Sequence, residues 1–483
     1  MNFSLVIFIL GWVVTFLGGF LMVPALTGAI YHEQEAWLFF LTGIISAVLG
    51  FLVTRLKPKN KRFFAREGYV ICAATWIVIS LIGAVPLALS KYFDSYLDAL
   101  FEIVSGFTTT GSSILEAVTG LPRSILIWRS FSHWIGGMGV LVFILSMLPL
   151  FGGADLHLMK AESPGPSVGK LVPNVKKTAA YLYEIYLAMT VLEFVFLLLA
   201  GMPVFDAICI SMGTAGTGGF GVVNESCGNY TTLQQSLITI FMMAFGVNFN
   251  MYFLILKKHY RDAFQISEVR WYFAIFFLLT AGITCNRYLI SGGAESLYQV
   301  FHHAAFNVAT VMTTTGFGTQ DFTFWPAFSR GLLILGMVIG ACAGSTGGGV
   351  KVSRVMLYFK SVGKEFSTLI HPRSVRKLKV DGKVVDHSVL RSVNNFLMVY
   401  VMILIGSVLL VLLDPGTDFE TGLTAVIATL NNIGPGMGKV GPAGNFHFFN
   451  GLSKSVFIFD MLAGRLELFP LLLLFYPSTW KNK

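Results

Sequence analysis

The chain has 483 residues, of which 55% are apolar and only 12% charged, with 50 Gly, 44 Phe and a formal net charge of +9. Water-soluble domains carry about a quarter charged residues, so this composition excludes an ordinary soluble enzyme and a disordered chain. It specifies a membrane protein.

Apolar runs long enough for a bilayer core, which takes roughly 20 helical residues, fall in order at residues 3–30, 35–55, 68–90, 124–150, 179–201, 232–256, 269–290, 326–340, 389–413 and 452–476. The first lacks the short basic-then-apolar layout of a cleaved signal peptide and is expected to be retained. Ten crossings are expected, and the charge agrees with that count. Twenty-six of the 34 Lys and Arg residues sit in segments 55–66, 160–177, 257–270 and 351–391 and at Lys481 and Lys483. These segments follow every second run, which is the positive-inside pattern, and they place both termini in the cytoplasm. Orientation accounts for the basic charge without nucleic acid.

Between successive pairs of runs, on the side away from the basic loops, lie four apolar stretches too short to span: 98–113 (DALFEIVSGFTTTGSS), 206–221 (DAICISMGTAGTGGFG), 300–318 (VFHHAAFNVATVMTTTGFG) and 420–436 (ETGLTAVIATLNNIGPG). Aligned on a shared glycine they give Thr109-Thr110-Gly111, Thr217-Gly218-Gly219, Thr314-Thr315-Gly316 and Asn432-Ile433-Gly434, at intervals of 108, 97 and 118 residues. Each interval holds two spanning helices, a re-entrant segment and loops. Asp98 and Asp206 each stand 13 residues before their glycine. The expected fold is an all-α polytopic membrane protein with ten transmembrane helices. Two of these, with a basic loop, fill residues 1–66, and four pseudo-symmetric helix–pore-loop–helix repeats around one pore fill 67–178, 179–266, 267–389 and 390–483.

Irregular backbone at membrane depth is tolerated only where protein buries it or it lines water, so four such segments in one chain predict a ring around a hydrophilic path. Each short helix would aim its C-terminal end, about half a negative charge, at that path and favour a cation. Glycine beside Thr lets carbonyl and hydroxyl oxygens replace the hydration shell of an alkali ion. A ring without carboxylates disfavours Ca²⁺ and Mg²⁺. One Thr-Thr-Gly means little in a membrane protein; its fourfold use at matching places carries the inference.

Residues 134–140 (WIGGMGV), 163–166 (SPGP), 340–351 (GACAGSTGGGVK), 428–436 (ATLNNIGPG) and 464–469 (GRLELF) resemble the membrane subunit of the bacterial Trk/Ktr potassium uptake systems, relatives of fungal Trk and plant HKT transporters. With its two additional N-terminal helices the chain is most similar to the TrkH/TrkG-type branch. The resemblance implies K⁺ as the transported ion, no organic cofactor, the bacterial cytoplasmic (inner) membrane, a homodimer, and a cytoplasmic nucleotide-binding regulatory subunit of TrkA type. All four filter glycines are present, as in potassium-selective members; a serine at the first accompanies sodium transport in the plant relatives. The second arm, Thr217-Gly218-Gly219, and the fourth, with Asn431-Asn432, depart from the TTTG of the first and third.

The eighth run ends in residues 340–349 (GACAGSTGGG). A helix continues through Gly347-Gly348-Gly349 only at about 1 kcal/mol per Gly, so this segment is either a flexible loop or a close helix crossing built on small residues. It lacks P-loop spacing. Arg465 lies inside the last run, where an ionisable residue faces either the water path or a nearby acid such as Glu467 or Asp460. The resemblance assigns Gly344, Gly347, Gly348 and Gly349 to an intramembrane gating loop and makes Arg465 a positive barrier. Arg123 and Arg129 are expected at the outer interface, and His302 and His303 in polar packing. Cys72, Cys209, Cys227, Cys285 and Cys342 show no ligand spacing. The rival reading is an H⁺- or Na⁺-coupled secondary active cation transporter, whose repeats would be inverted, whereas these four share one orientation. No nucleophile–base or metal constellation suggests an enzyme.

Overall fold

In hydrocarbon every backbone N–H and C=O must be satisfied within its own segment, so long apolar runs become helices. The computed structural model describes residues 1–58, 64–139, 175–372 and 377–481, with the backbone alone for 175–179. Val140 and the rest of the fourth run, the SPGP motif, part of the first, second and fourth basic segments, and Lys483 lie outside the described residues. Among the described residues, six helical spans are long and apolar enough to cross a bilayer: Phe3–Ile30, Ala36–Thr54, Ala65–Ala88, Ala180–Leu199, Ser267–Ile290 and His387–Val411. The chain is a multi-pass helical membrane protein.

The first span comprises α1 (Phe3–Phe20) and α2 (Met22–Ile30), which pack on α3 (Ala36–Thr54). The turn before α3 reaches into the body of the protein. Glu33 accepts hydrogen bonds from the N–H groups of Arg123 (2.5 Å) and Ser124 (2.9 Å) and from the Ser124 hydroxyl (2.6 Å). These are otherwise unpaired donors at the start of a helix spanning Arg123–Met138, where a negative charge also meets the positive end of the helix dipole. Glu33→Ala is therefore expected to destabilise the detergent-solubilised protein by about 1–2 kcal/mol, the usual loss of a good N-cap. Thermal unfolding checks it, and an unchanged Tm would remove the brace.

After α4 (Ala65–Ala88) come short helices in the positions of the four apolar stretches: α5 (Tyr96–Phe107), with α6 (Arg123–Met138) following it, then, after α7 (Val175–Leu199), α8 (Val204–Gly216). The other two are α13 (Leu297–Met312) and α17 (Phe419–Leu430). At 1.5 Å per residue, their 12 to 16 residues fall short of a hydrocarbon core about 30 Å thick. Side-chain caps fix where three of them start, from Ser95 to the Asp98 N–H, Ser296 to Gln299 and Asp418 to Thr421. The Thr421 hydroxyl and N–H hold the Asp418 carboxyl below its ordinary range.

Two runs expected to be single helices, the sixth and the last, are broken, and the eighth ends where its glycines begin. The sixth divides into α9 (Thr232–Phe245) and α10 (Phe249–Leu256), bent by 90°. Gly246 there lies against the Tyr272 hydroxyl and Thr313, and Asn248 caps the new helix by accepting from the Asn250 N–H at 2.9 Å. The short α11 (Tyr260–Gln265) leads into α12 (Ser267–Ile290). The eighth run stops as α14 (Ala327–Ile339), and helix resumes only at α15 (Val352–Ile370). A small hairpin, β1 (Lys379–Val380) with β2 (Lys383–Val384), precedes α16 (His387–Val411). The last run divides into α18 (Gly451–Arg465) and α19 (Phe469–Phe475), separated where Glu467 (φ 54) and Leu468 (φ 67) turn left-handed just before Pro470. Hydropathy registers the apolar content on both sides of a break and so misses the break itself.

Candidate functional site

The four short helices end alike. The N–H groups of Thr110, Gly218, Thr315 and Ile433 reach back five residues to the carbonyls of Ser105, Gly213, Thr310 and Ala428 at 2.8–2.9 Å. This six-to-one bond ends a helix by forcing one residue into the left-handed region. Here those residues are Thr109, Thr217, Thr314 and Asn432, at φ 57, 55, 59 and 55. Bulky β-branched residues rarely adopt this conformation, and such strain persists where the surroundings enforce it. Two positions on, Gly111, Gly219, Gly316 and Gly434 again have positive φ, at 82, 77, 90 and 102. Handedness that alternates residue by residue cancels the pleat of an extended chain, which allows successive carbonyls to share one side.

The four arms form a closed circuit. A Cβ on Gly111 would overlap the Gly218 carbonyl oxygen, one on Gly219 that of Thr315, and one on Gly316 that of Ile433. One on Gly434 would lie 2.8 Å from the Thr110 oxygen. Further hydrogen bonds close the last junction, from Ser112 Oγ to the Gly434 carbonyl (3.0 Å) and from Asn432 Nδ2 to Thr110 Oγ1 (2.9 Å). Within the first and third arms, hydroxyls pair as Thr108–Thr110 (2.8 Å) and Thr313–Thr315 (2.7 Å). The two departures from TTTG have local causes. The Asn432 amide bridges to the first arm and to the Met461 carbonyl at 2.9 Å. Gly218 faces the His133 ring, which a Cβ would strike; Nδ1 of that ring is 2.7 Å from the Gly106 carbonyl.

Residues 340–351 are unwound, which overturns the close-crossing alternative. Gly340, Gly344 and Gly349 have φ 75, 71 and 78. The break at 246–248 supplies the partners: Cys342 N–H donates to the Gly246 carbonyl, and Phe249 N–H to the Gly344 carbonyl, both at 3.1 Å. Backbone groups freed by the bent helix are thereby satisfied by the loop. On its other side the loop touches the arms, with Gly348 N–H donating to Thr314 Oγ1 (2.6 Å) and Gly349 N–H to the Asn431 carbonyl (3.1 Å). A Cβ on Gly347 would lie 2.7 Å from the Thr313 oxygen. Arg465 joins loop and arm: it donates to the carbonyls of Thr346 (3.0 Å) and Gly136 and lies 3.4 Å from Thr109 Oγ1. The acids offered as its partners are engaged elsewhere. Arg354 binds Glu467, and Asp460 accepts from Ser407 Oγ at 2.7 Å.

Residues 32–482 match the family described as TrkH, cation transport protein. The chain belongs to the TrkH family. It is 35% identical to the Trk system potassium uptake protein TrkH of Salmonella typhimurium and to that of Escherichia coli K12, over 100% of each chain. With the Trk system potassium uptake protein TrkG of E. coli K12 it shares 34% identity over 97% of this chain and 99% of that one. The crystal structure of the potassium transporter TrkH from Vibrio parahaemolyticus superposes with a TM-score of 0.88 at 32% identity, covering both chains fully.

In this TrkH-family chain several polar residues near the ring carried no sequence signal. Arg129 is 2% exposed and paired with Glu102 inside the protein, not on its outer surface as expected, whereas Arg123 is exposed and stacks over the Tyr31 ring. Lys351 is buried and donates to the Gly347 carbonyl, and Glu268 accepts from the Ala343 N–H at 2.6 Å. A cluster of one side chain with distant backbone leaves no spacing to detect. His302 and His303 pack as expected, against Gln235 (2.8 Å) and Thr319 (3.1 Å). Cys72, Cys209, Cys227 and Cys342 are buried and Cys285 is exposed.

Proposed function

We propose that this chain is the membrane subunit of a potassium uptake system of the bacterial cytoplasmic membrane. K⁺ exchanges its water for oxygens contributed by Thr109, Thr110, Gly111, Thr217, Gly218, Gly219, Thr314, Thr315, Gly316, Asn432, Ile433 and Gly434. Beneath this filter the loop carrying Gly344, Gly347, Gly348 and Gly349 closes the path, with Arg465 as its bolt. The observation that carries the reading is the closed circuit, in which each positive-φ glycine abuts the carbonyl of the next arm. The names of the relatives support K⁺ as the cargo. The protein supplies fixed dipoles and oxygens; no covalent step is involved.

The short and broken helices, together with the six long spans, complete ten crossings in this reading, with both termini cytoplasmic and repeats at 67–178, 179–266, 267–389 and 390–483. Two copies pair, and a cytoplasmic nucleotide-binding subunit of TrkA type docks on the basic face. The test is reconstitution of the purified chain in liposomes with imposed K⁺ or Na⁺ gradients and a proton-sensitive dye. Downhill K⁺ flux exceeding Na⁺ flux, without obligatory proton movement, is expected. Obligatory proton movement with every K⁺ would replace the pore by a coupled carrier.

A further inference from the structure

Among the described residues, Arg129 and Glu102 form the most deeply buried ion pair, with side chains 2% and 0% exposed. All their contacts converge on the segments that leave the first two arms. Arg129 Nε donates to Glu102 Oε1 at 2.7 Å, Nη1 to the Gly221 carbonyl at 3.2 Å and Nη2 to Ser113 Oγ at 3.3 Å. Its guanidinium lies 4.0 Å above the Phe220 ring. Glu102 accepts from the Ile114 N–H at 2.8 Å and from Ser113 Oγ at 3.0 Å. Phe220 and Gly221 follow Gly219 directly, and Ser113 and Ile114 stand two and three residues beyond Gly111. The pair thus ties the outgoing strand of one arm to that of the next.

Side-chain hydrogen bonds within the ring itself close the junction between the fourth arm and the first, whereas the junction between the first and the second is held from behind, by Arg129 and by His133, which lies between the Gly106 carbonyl and the Phe220 N–H. The first and third arms each hold a hydroxyl pair, and the fourth reaches the first through Asn432. The second has Gly218 at the middle position and nothing to offer there. Nine residues before each filter glycine stand Glu102, Ile210, Asn307 and Ala425. Asn307 repeats the device without charge, since its Nδ2 lies 3.4 Å from Thr319 Oγ1, three residues past Gly316. A buried ion pair stabilises no better than apolar packing, so its presence here points to geometry rather than to stability. The guanidinium fork, unlike an ammonium, holds a carboxylate, a carbonyl and a hydroxyl in fixed directions.

We infer that Arg129 and Glu102 are positioning residues for ion selection, fixing the second arm against the first and thereby setting K⁺ over Na⁺ discrimination. The inference rests on the filter reading above. The full-length chain is reconstituted as Arg129→Lys and as the double variant Arg129→Met with Glu102→Gln, which strands no buried charge, beside Gly316→Ser. Downhill K⁺ and Na⁺ fluxes are measured for each, with thermal unfolding as the control for folding. Both pair variants are expected to conduct K⁺ with the K⁺/Na⁺ flux ratio lowered about tenfold, as for the loss of a charged hydrogen bond. A folded double variant with the native ratio, while Gly316→Ser loses it, overturns the positioning role alone. A native ratio in Gly316→Ser overturns the filter reading and this inference with it. Should neither pair variant fold, Ser113→Ala, which removes one hydroxyl and no charge, decides by the same ratio.

Discussion

Serine in place of Gly316 leaves a conducting path that no longer prefers K⁺. Gly316 has φ 90, and its missing Cβ would occupy the space of the Ile433 carbonyl oxygen. A side chain there must either push the fourth arm away or abandon its backbone conformation. Strain of this kind costs about 1–3 kcal/mol, enough to shift the balance between backbone conformations there by roughly five- to 150-fold. The K⁺/Na⁺ flux ratio in liposomes should fall towards unity. Gly111 and Gly219, equally overlapped, should behave alike, and Gly434, with 2.8 Å to the Thr110 oxygen, should be the mildest of the four. A serine variant at Gly316 that kept full K⁺ preference would contradict the filter.

The opposite sign is expected at Arg465. Its guanidinium donates to the Thr346 carbonyl of the loop and to the Gly136 carbonyl while lying beside Thr109. A fixed positive charge about 6 Å from a passing cation opposes it by about 3 kcal/mol at an effective dielectric near 20. Arg465→Ala removes both the field and the bond that holds the loop, so downhill K⁺ flux should rise on the order of tenfold or more. Selectivity should change little, because the arms keep their own contacts. Slower flux in a folded Arg465→Ala protein would reassign the residue to structural support.

What was legible in the sequence was whatever repeats. Thr109-Thr110-Gly111 and its three counterparts lie at matching intervals, and each shows the same alternation of backbone handedness, with positive φ at its first residue and its glycine. The glycine run at 340–349 was legible as a break because helix propensity disfavours it. The break at 246–248 was not, since one glycine and one Asn in an apolar run are ordinary, and only the contacts of Tyr272 and the loop make the bend necessary. Arg129 was misplaced for a related reason. Near the start of a helix, an Arg at the interface and an Arg paired inside look identical until Glu102, 27 residues away, is brought to it.

A ring in which every arm rests on its neighbour has no end from which to open. Under the proposed reading, the width available to an ion is a property of the circuit rather than of any one arm: displacing Gly219 moves the seat of Gly111 as well as its own contact with Thr315. Because the four arms belong to one polypeptide and differ in sequence, each can be tuned singly, yet none can be altered in isolation. Disturbances at neighbouring arms should then combine non-additively, as those of residues sharing contacts do. The two departures from TTTG fit this coupling, since each is met locally, Gly218 by the His133 ring and Asn432 by the Thr110 hydroxyl.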